Sequence, residues 1–266
     1  MPNHRPPSRT DSAHADSIPT PMGAAQIWAL IPCAGMGSRA LGTDRSGDSA
    51  PARPKQYQPL LGQPLVMHTL AAFASSIRVA RTMVVVAPGD TFFNAIRLPN
   101  ASFLIASCGG NTRACSVLNG LTALADHGAH DSDWVLVHDA ARCLITPHLI
   151  DALIEACLPD AVGGLLALPV PDTLKSAVNG RVATTLDRSD KWLAQTPQMF
   201  RLGTLRLALQ RAGPQVTDEA SAIEALGQSP RLVVSTAENF KVTYPSDFAL
   251  AEAVLTSRGR RLVGLQ

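Results

Sequence analysis

From Gln26 onward, short apolar runs alternate with stretches of helical spacing. Ile27-Trp28-Ala29-Leu30-Ile31 is wholly apolar and meets Pro32 and glycines, which predicts a buried strand ending in a loop. Thr82–Ala87, Ser102–Ala106, Trp134–His138 and Gly164–Leu168 read the same way. Between them, apolar residues recur at helical spacing over Pro64–Ser76, Thr112–His127 and Pro147–Leu158. Pro64 and Pro147 suit first helical turns, and Gly128 suits a C-cap. Continuous apolar strands separated by helices predict an α/β fold, with helices on both faces of a mainly parallel sheet.

The alternation breaks between Pro169 and Pro197, which is more polar. Leu174, Ser176 and Val178 alternate before Asn179-Gly180, and Val182, Thr184 and Leu186 after it. Asn-Gly between alternating segments predicts a β-hairpin. Too polar for core, it reads as a projecting arm; a long surface loop is the alternative. Helices follow near Leu202–Arg211 and Asp218–Leu226, then a strand at Leu232–Val234 and a last helix after Pro245.

The chain has 266 residues, enough for a core that needs no disulfide or metal staple. A formal charge of +2 does not suit a polyanion such as nucleic acid as partner. No apolar run reaches the ~20 residues a bilayer demands, so no membrane is expected. Five cysteines without a CxxC pair argue against a disulfide framework and a zinc site, and read as buried small side chains in a reducing cytoplasm. His127 and His130 with Asp126, Asp131 and Asp133 read as a solvated turn rather than a metal site. Residues 1–25, rich in Pro, Ser, His and Asp without an apolar core, read as a disordered extension. One domain is expected over 26–258, with a tail over 259–266.

Four groups of residues carry candidate chemistry. Pro32-Cys33-Ala34-Gly35-Met36-Gly37-Ser38-Arg39 follows the first strand, where small residues let backbone N–H groups approach a phosphate chain. It also satisfies GxGxxA, the dinucleotide pattern. Against a dinucleotide, the second strand runs into Pro88 without the acidic residue that holds a ribose. Arg39, and Lys55 in Arg53-Pro54-Lys55-Gln56-Tyr57, better suit a triphosphate; two solvated cations are the alternative. His138-Asp139-Ala140-Ala141-Arg142 ends a buried strand, placing Asp139 to accept hydroxyl protons or hold Mg²⁺, and Arg142 to hold an anion. An Asp–Arg ion pair is the plainer reading. Gly109-Gly110-Asn111-Thr112-Arg113, leading into Ser116, permits close approach to a flat base or is simple turn chemistry. Late in the chain, Thr217-Asp218-Glu219 also suits a helix N-cap, and Lys241 between apolar neighbours calls for an anionic partner or an exposed edge.

Together these pieces resemble the 2-C-methyl-D-erythritol 4-phosphate cytidylyltransferase family. The matching motifs run in order: PxAGxGxR (Pro32–Arg39), PKQY (Pro54–Tyr57), GGxxRxxSV (Gly109–Val117), VHDAAR (Val137–Arg142), DTLK (Asp172–Lys175), DR (Asp187-Arg188), QTPQ (Gln195–Gln198), TDEAS (Thr217–Ser221) and NFKVTYPSD (Asn239–Asp247). The resemblance implies a Rossmann-like nucleotidyltransferase fold whose β-arm, here over 170–196, clasps a second subunit in a homodimer. It implies Arg39 and Lys55 as the pair acting on the α-phosphate of CTP, and Arg188 and Lys241 as the residues positioning the sugar-alcohol phosphate. Asp139, Arg142, Thr173 and Thr217 are implied to line that pocket, with Thr173 and Arg188 acting across the dimer. Cys33, Ala34, Gly35, Gly37, Ser38, Gly110, Asn111, Ser116 and Ala140 are implied to contact CTP. Mg²⁺ or another divalent cation would be held mainly by the CTP phosphates, with Asp139 as candidate protein ligand. The chain departs from the pattern at Cys33, where the family usually has Ala, at Cys143, where it has Pro, and in a longer loop from Ala40 to Pro54.

The implied reaction joins CTP and methylerythritol 4-phosphate and releases pyrophosphate. A phosphate oxygen with a second pKa near ~6 is already ionised at neutral pH, so no general base is required. The alternatives are cytidylyl transfer to another polyol phosphate such as ribitol 5-phosphate, an NAD-dependent oxidoreductase, and a non-catalytic nucleotide-sensing dimer.

Overall fold

The computed structural model describes residues 25–35, 53–95, 103–213 and 216–263. Most of the expected N-terminal extension and of the 40–54 loop lies outside the described residues, as do Gly37, Ser38 and Arg39. The chain opens with β1 (Ile27–Pro32), then a tight hairpin of β2 (Pro59–Leu60) and β3 (Gln63–Pro64) runs into α1 (Leu65–Ala74). β4 (Arg81–Val85), β5 (Phe103–Ala106), α2 (Arg113–Asp126), β6 (Trp134–Val137), α3 (Pro147–Cys157) and β7 (Gly163–Pro169) continue the alternation. The projecting hairpin is β8 (Leu174–Val178) and β9 (Arg181–Leu186). β10 (Trp192–Arg201), α4 (Leu202–Ala212), α5 (Glu219–Glu224), β11 (Arg231–Val234) and α6 (Pro245–Val263) complete the chain.

Seven strands form one sheet in the order β11-β7-β10-β6-β1-β4-β5. β1 pairs parallel with β4 and β6, and β5 and β11 also join parallel. The period of two along each strand feeds both faces. Ile27, Ala29 and Ile31 enter one core with residues of α1 and α3, while Trp28 and Leu30 enter the other with residues of α2, α4 and α5. Phe73 and Phe200 anchor opposite faces, each burial contributing roughly 1.5–3 kcal/mol.

Local signals set the element ends. Thr112 caps α2 by accepting from the Cys115 N–H at 3.1 Å. Thr146 does the same for α3, whose first turn carries Pro147. Asp218 and Ser221 make a reciprocal capping box on α5. At the hairpin tip Asn179 and Gly180 take φ of 48° and 75°, the left-handed pair an Asn-Gly turn supplies.

Three findings differ from the sequence reading. β10 was hidden in a stretch of polar motifs, and it runs antiparallel between β6 and β7. Asp133 is buried rather than solvated: Oδ1 accepts from the Gln26 N–H at 2.8 Å, and Oδ2 from the Trp28 indole at 3.1 Å and the His130 N–H at 2.9 Å. α6 runs past the boundary expected at 258, and over it Leu60, Leu65, Leu144, Val242 and Ala251 make a third apolar cluster.

Candidate active site

The carboxyl ends of the parallel strands open on a cavity of about 530 Å³. Small residues make this approach possible. A Cβ on Gly109 would sit 2.3 Å from the Ala34 Cβ, so glycine there lets the loop after β5 lie against the loop after β1. A Cβ on Gly110 would meet the Cys115 Cβ at 2.6 Å. Instead the Gly110 N–H donates to the Ser116 hydroxyl at 3.0 Å, which pins the loop beside Asn111. Gln56, on the 3-10 turn Lys55–Tyr57, donates to the carbonyls of Cys33 and Gly35 at 2.8 and 2.9 Å. A trans peptide sets C=O and N–H antiparallel, so the Ala34 N–H is turned away from Gln56. Cys33 itself is core: burial pushes its thiol up to about 12.

Charge gathers on the far wall. Lys55 is buried and donates to the Val242 carbonyl at 2.6 Å. Lys241 reaches the same wall and pairs with Asp139 Oδ2 at 2.9 Å, which supplies the anionic partner its apolar setting calls for. Asp139 Oδ1 accepts from Arg113 Nε at 2.8 Å, and Arg142 Nε lies 3.7 Å from Oδ2. Burial opposes ionisation of Asp139, but Arg113, Lys241 and Arg142 outweigh it and hold the carboxyl well below the usual range. Arg113 also grips the buried Glu219 with both terminal nitrogens, at 2.6 and 3.0 Å. Burial disfavours its charge, yet Glu219 and Asp139 together raise its pKa.

The structure brings Cys33, Ala34, Gly35, Lys55, Gly110, Asn111, Ser116, Asp139, Ala140 and Lys241 into one cavity. Arg142 lies against Asp139 and donates to the Asn239 carbonyl at 3.0 Å. Thr173, Arg188 and Thr217 do not line this cavity: all three are exposed, and the Arg188 guanidinium donates to the Pro171 carbonyl. Within one chain the arm therefore keeps its two expected residues away from the site. Arg113 and Gln56 line the cavity and were passed over as site residues. The signal for Arg113 was the arginine inside GGxxRxxSV, whose partner Glu219 lies far along the chain in TDEAS.

Asp139 is a poor metal ligand in this arrangement, because both its oxygens already face cations. Among the described residues no group of three His, Cys, Asp or Glu side chains gathers to hold a metal ion. A resident metal site thus does not fit these residues. No helix among them is long and apolar enough to cross a membrane.

An α/β sheet whose parallel strand ends gather a glycine loop and several cations around one cavity has the layout of a nucleotide-binding enzyme. The comparisons refine this. Residues 27–257 match the family described as 2-C-methyl-D-erythritol 4-phosphate cytidylyltransferase. A protein of that name from Burkholderia vietnamiensis is 54% identical over 87% of this chain and 97% of its own length. A bifunctional enzyme IspD/IspF from Albidiferax ferrireducens is 64% identical over 91% of this chain, which spans 56% of that longer protein. Among solved structures, a 4-diphosphocytidyl-2C-methyl-D-erythritol synthase aligns with TM-score 0.75 at 39% identity, covering 87% of this chain and 98% of its own. The Francisella tularensis cytidylyltransferase aligns with TM-score 0.71 at 31% identity, covering 85% and 98%. The chain belongs to the 2-C-methyl-D-erythritol 4-phosphate cytidylyltransferase family.

Proposed function

We propose that the chain transfers CMP from CTP to 2-C-methyl-D-erythritol 4-phosphate, giving 4-diphosphocytidyl-2-C-methyl-D-erythritol and pyrophosphate for isoprenoid precursors by the non-mevalonate route. The observation that carries this reading is the meeting of Lys55, Lys241 and Asp139 with the Gly110–Ser116 loop in one cavity. The acceptor's phosphate oxygen attacks the α-phosphorus of CTP, a new P–O bond forms, and the bond to the β-phosphate breaks. The nucleophile is ionised already, so no proton need move. The protein's work is to bring two polyanions into line and neutralise charge that grows in the transition state. Lys55 and Arg39 are assigned to the α-phosphate, and Lys241 and Arg142 to the acceptor phosphate. Gly110, Asn111 and Ser116 hold the cytosine, with the Cys33–Ser38 loop and Ala140 along the rest of the nucleotide. Asp139 serves as counter-ion to the acceptor cations. Mg²⁺ enters as part of the nucleotide substrate.

The hairpin supports a homodimer. Val178, Val182, Leu186 and Leu193 are exposed on or beside it, and a lone two-stranded ribbon is marginal in water. Thr173, Arg188 and Thr217 would then complete an acceptor pocket from outside the cavity's own wall, the first two across the dimer. Five free cysteines suit the reducing cytoplasm as its place of action.

Pyrophosphate release is the test. Turnover is expected with CTP and methylerythritol 4-phosphate, and little with ATP, GTP or UTP. Preference for ribitol 5-phosphate would reassign the acceptor. Nicotinamide dinucleotide binding without CTP binding would overturn the reading.

A further inference from the structure

Behind the acceptor wall a closed ring of hydrogen bonds joins Asp139 and Arg142 to three buried side chains, His138, Thr196 and Asn239, that the transfer step does not use. His138 and Asn239 are 0% exposed and Thr196 is 4% exposed. The Asp139 N–H donates to Thr196 Oγ1 at 3.0 Å. His138 Nε2 faces the Arg142 carbonyl, which can only accept, so the neutral imidazole accepts at Nδ1 from the Thr196 hydroxyl 3.0 Å away. With Nδ1 accepting, a neutral imidazole carries its proton on Nε2, which donates to the Arg142 carbonyl at 3.1 Å. The Arg142 guanidinium donates in turn to the Asn239 carbonyl at 3.0 Å. Asn239 Nδ2 returns the ring to the Thr196 carbonyl at 3.0 Å, and reaches Gln195 Oε1 at 2.8 Å.

This ring ties three segments that are remote in sequence. One is the turn after β6, which carries Asp139 and Arg142. The second is the bulge in β10, where the register with β7 shifts between Ala194 and Gln198. The third leads to Lys241, which follows Asn239 closely and is fixed again by the Val242 N–H donating to the Ala141 carbonyl at 2.9 Å. The nucleotide half is secured by other bonds, from Gln56 to the Cys33–Gly35 loop and from Gly110 to Ser116.

We propose that His138, Thr196 and Asn239 are positioning residues that set the acceptor half of the site, holding Asp139, Arg142 and Lys241 in the register that receives the phosphorylated acceptor while leaving nucleotide binding alone. The inference rests on the transfer reading above. Asn239 Oδ1 and Arg142 Nε are buried without a hydrogen-bond partner, so the bonds the ring does make carry the positioning, and each further group orphaned there adds its desolvation cost.

The test uses the intact chain with Thr196→Val, Thr196→Ser and His138→Asn. Thr196→Val keeps the volume and leaves the Asp139 N–H and His138 Nδ1 without a partner. Kinetics with methylerythritol 4-phosphate at saturating CTP are compared with CTP–Mg²⁺ affinity by calorimetry. Thr196→Val is expected to lower kcat/KM for the acceptor about tenfold or more, as lost hydrogen bonds and displaced cations require. CTP affinity is expected to move by less than about threefold, since Gln56 and Ser116 hold the nucleotide loops outside the ring, and the Val242 carbonyl that Lys55 meets keeps its own tie through the Val242 N–H to Ala141. Thr196→Ser, which keeps the hydroxyl, should restore acceptor kinetics. His138→Asn keeps a partner for Thr196 but not for Arg142, and should give the same split if Thr196→Val does not fold. Unchanged acceptor kinetics in these variants, an equal loss of CTP affinity, or no rescue by serine would overturn the inference. A parent chain without turnover would sink the transfer reading and this inference with it; turnover in the parent with indifferent variants would sink the inference alone.

Discussion

Replacing Arg113 with methionine probes the strongest charge pair in the site. The substitution keeps an unbranched stem and removes the guanidinium fork. Glu219 is fully buried, and both its oxygens lie against Arg113 at 2.6 and 3.0 Å. Without Arg113 that carboxylate is stranded in the interior. Removing one partner of a buried pair costs about 3–5 kcal/mol, most of it the penalty for the charge left behind. Asp139 loses one cation but keeps Lys241 at 2.9 Å, so it adds little to the loss. For a chain of this size the melting temperature should fall on the order of 10 °C. Arg113→Met/Glu219→Leu removes both charges and should recover most of that fall, because an apolar pair of similar volume is close to neutral. Scanning calorimetry of the parent, both single variants and the double variant closes the cycle. If Arg113→Met melts within about 2 °C of the parent, or if the two single losses simply add, the pair does not hold the site together as argued.

Three further outcomes follow from the same geometry. Lys55→Ala should lower kcat by roughly 10² or more, as for a lost oxyanion donor, and full turnover would remove Lys55 from the transfer step. Burial pushes the His138 imidazole down to about 3 from its ordinary 6.5, so the unfolded chain binds a proton that the folded chain refuses. The stability this group supplies is complete above pH 6.5 and drains as pH falls toward 3; about 2 kcal/mol is lost between pH 7 and 5. Denaturant melts of His138→Asn should show a flatter pH dependence over that window, and an unchanged slope would refute the assignment. Val182→Asp, at an exposed position on the hairpin, should shift the chain toward monomer in sedimentation velocity, and an unaffected dimer would take the hairpin out of the interface.

Local rules carried much of the fold. Ile27–Ile31 and Trp134–Val137 are apolar without interruption because both faces of the sheet are covered, and their pattern alone identifies them as buried strands. Asn179-Gly180 announced the hairpin because few other pairs adopt two consecutive positive φ values at low cost. β10 was missed for the opposite reason. Gln195, Thr196 and Gln198 are buried but polar, each satisfied by a partner distant in sequence, so no hydrophobic period marks them. The site divides in the same way. Gly110, Ser116, Lys55 and Asp139 stand in short motifs, and their convergence follows from strand ends on one side of the sheet. The role of Arg113 depends on Glu219, and nothing local to either residue predicts that they meet. Thr173 and Arg188 show the converse: motif resemblance placed them in the acceptor site, and a single chain holds them outside it.

One cavity at the strand ends is expected to receive the nucleotide between the Gly110–Ser116 loop and the buried Lys55. A crystal structure of the chain soaked with CTP and Mg²⁺ is the decisive measurement. The cytosine is expected against Gly110 and Asn111, with the α-phosphate within hydrogen-bond reach of Lys55 Nζ. Density for CTP elsewhere, for instance in the open groove along α6 beside Leu61 and Arg260, with the strand-end cavity empty, would contradict it.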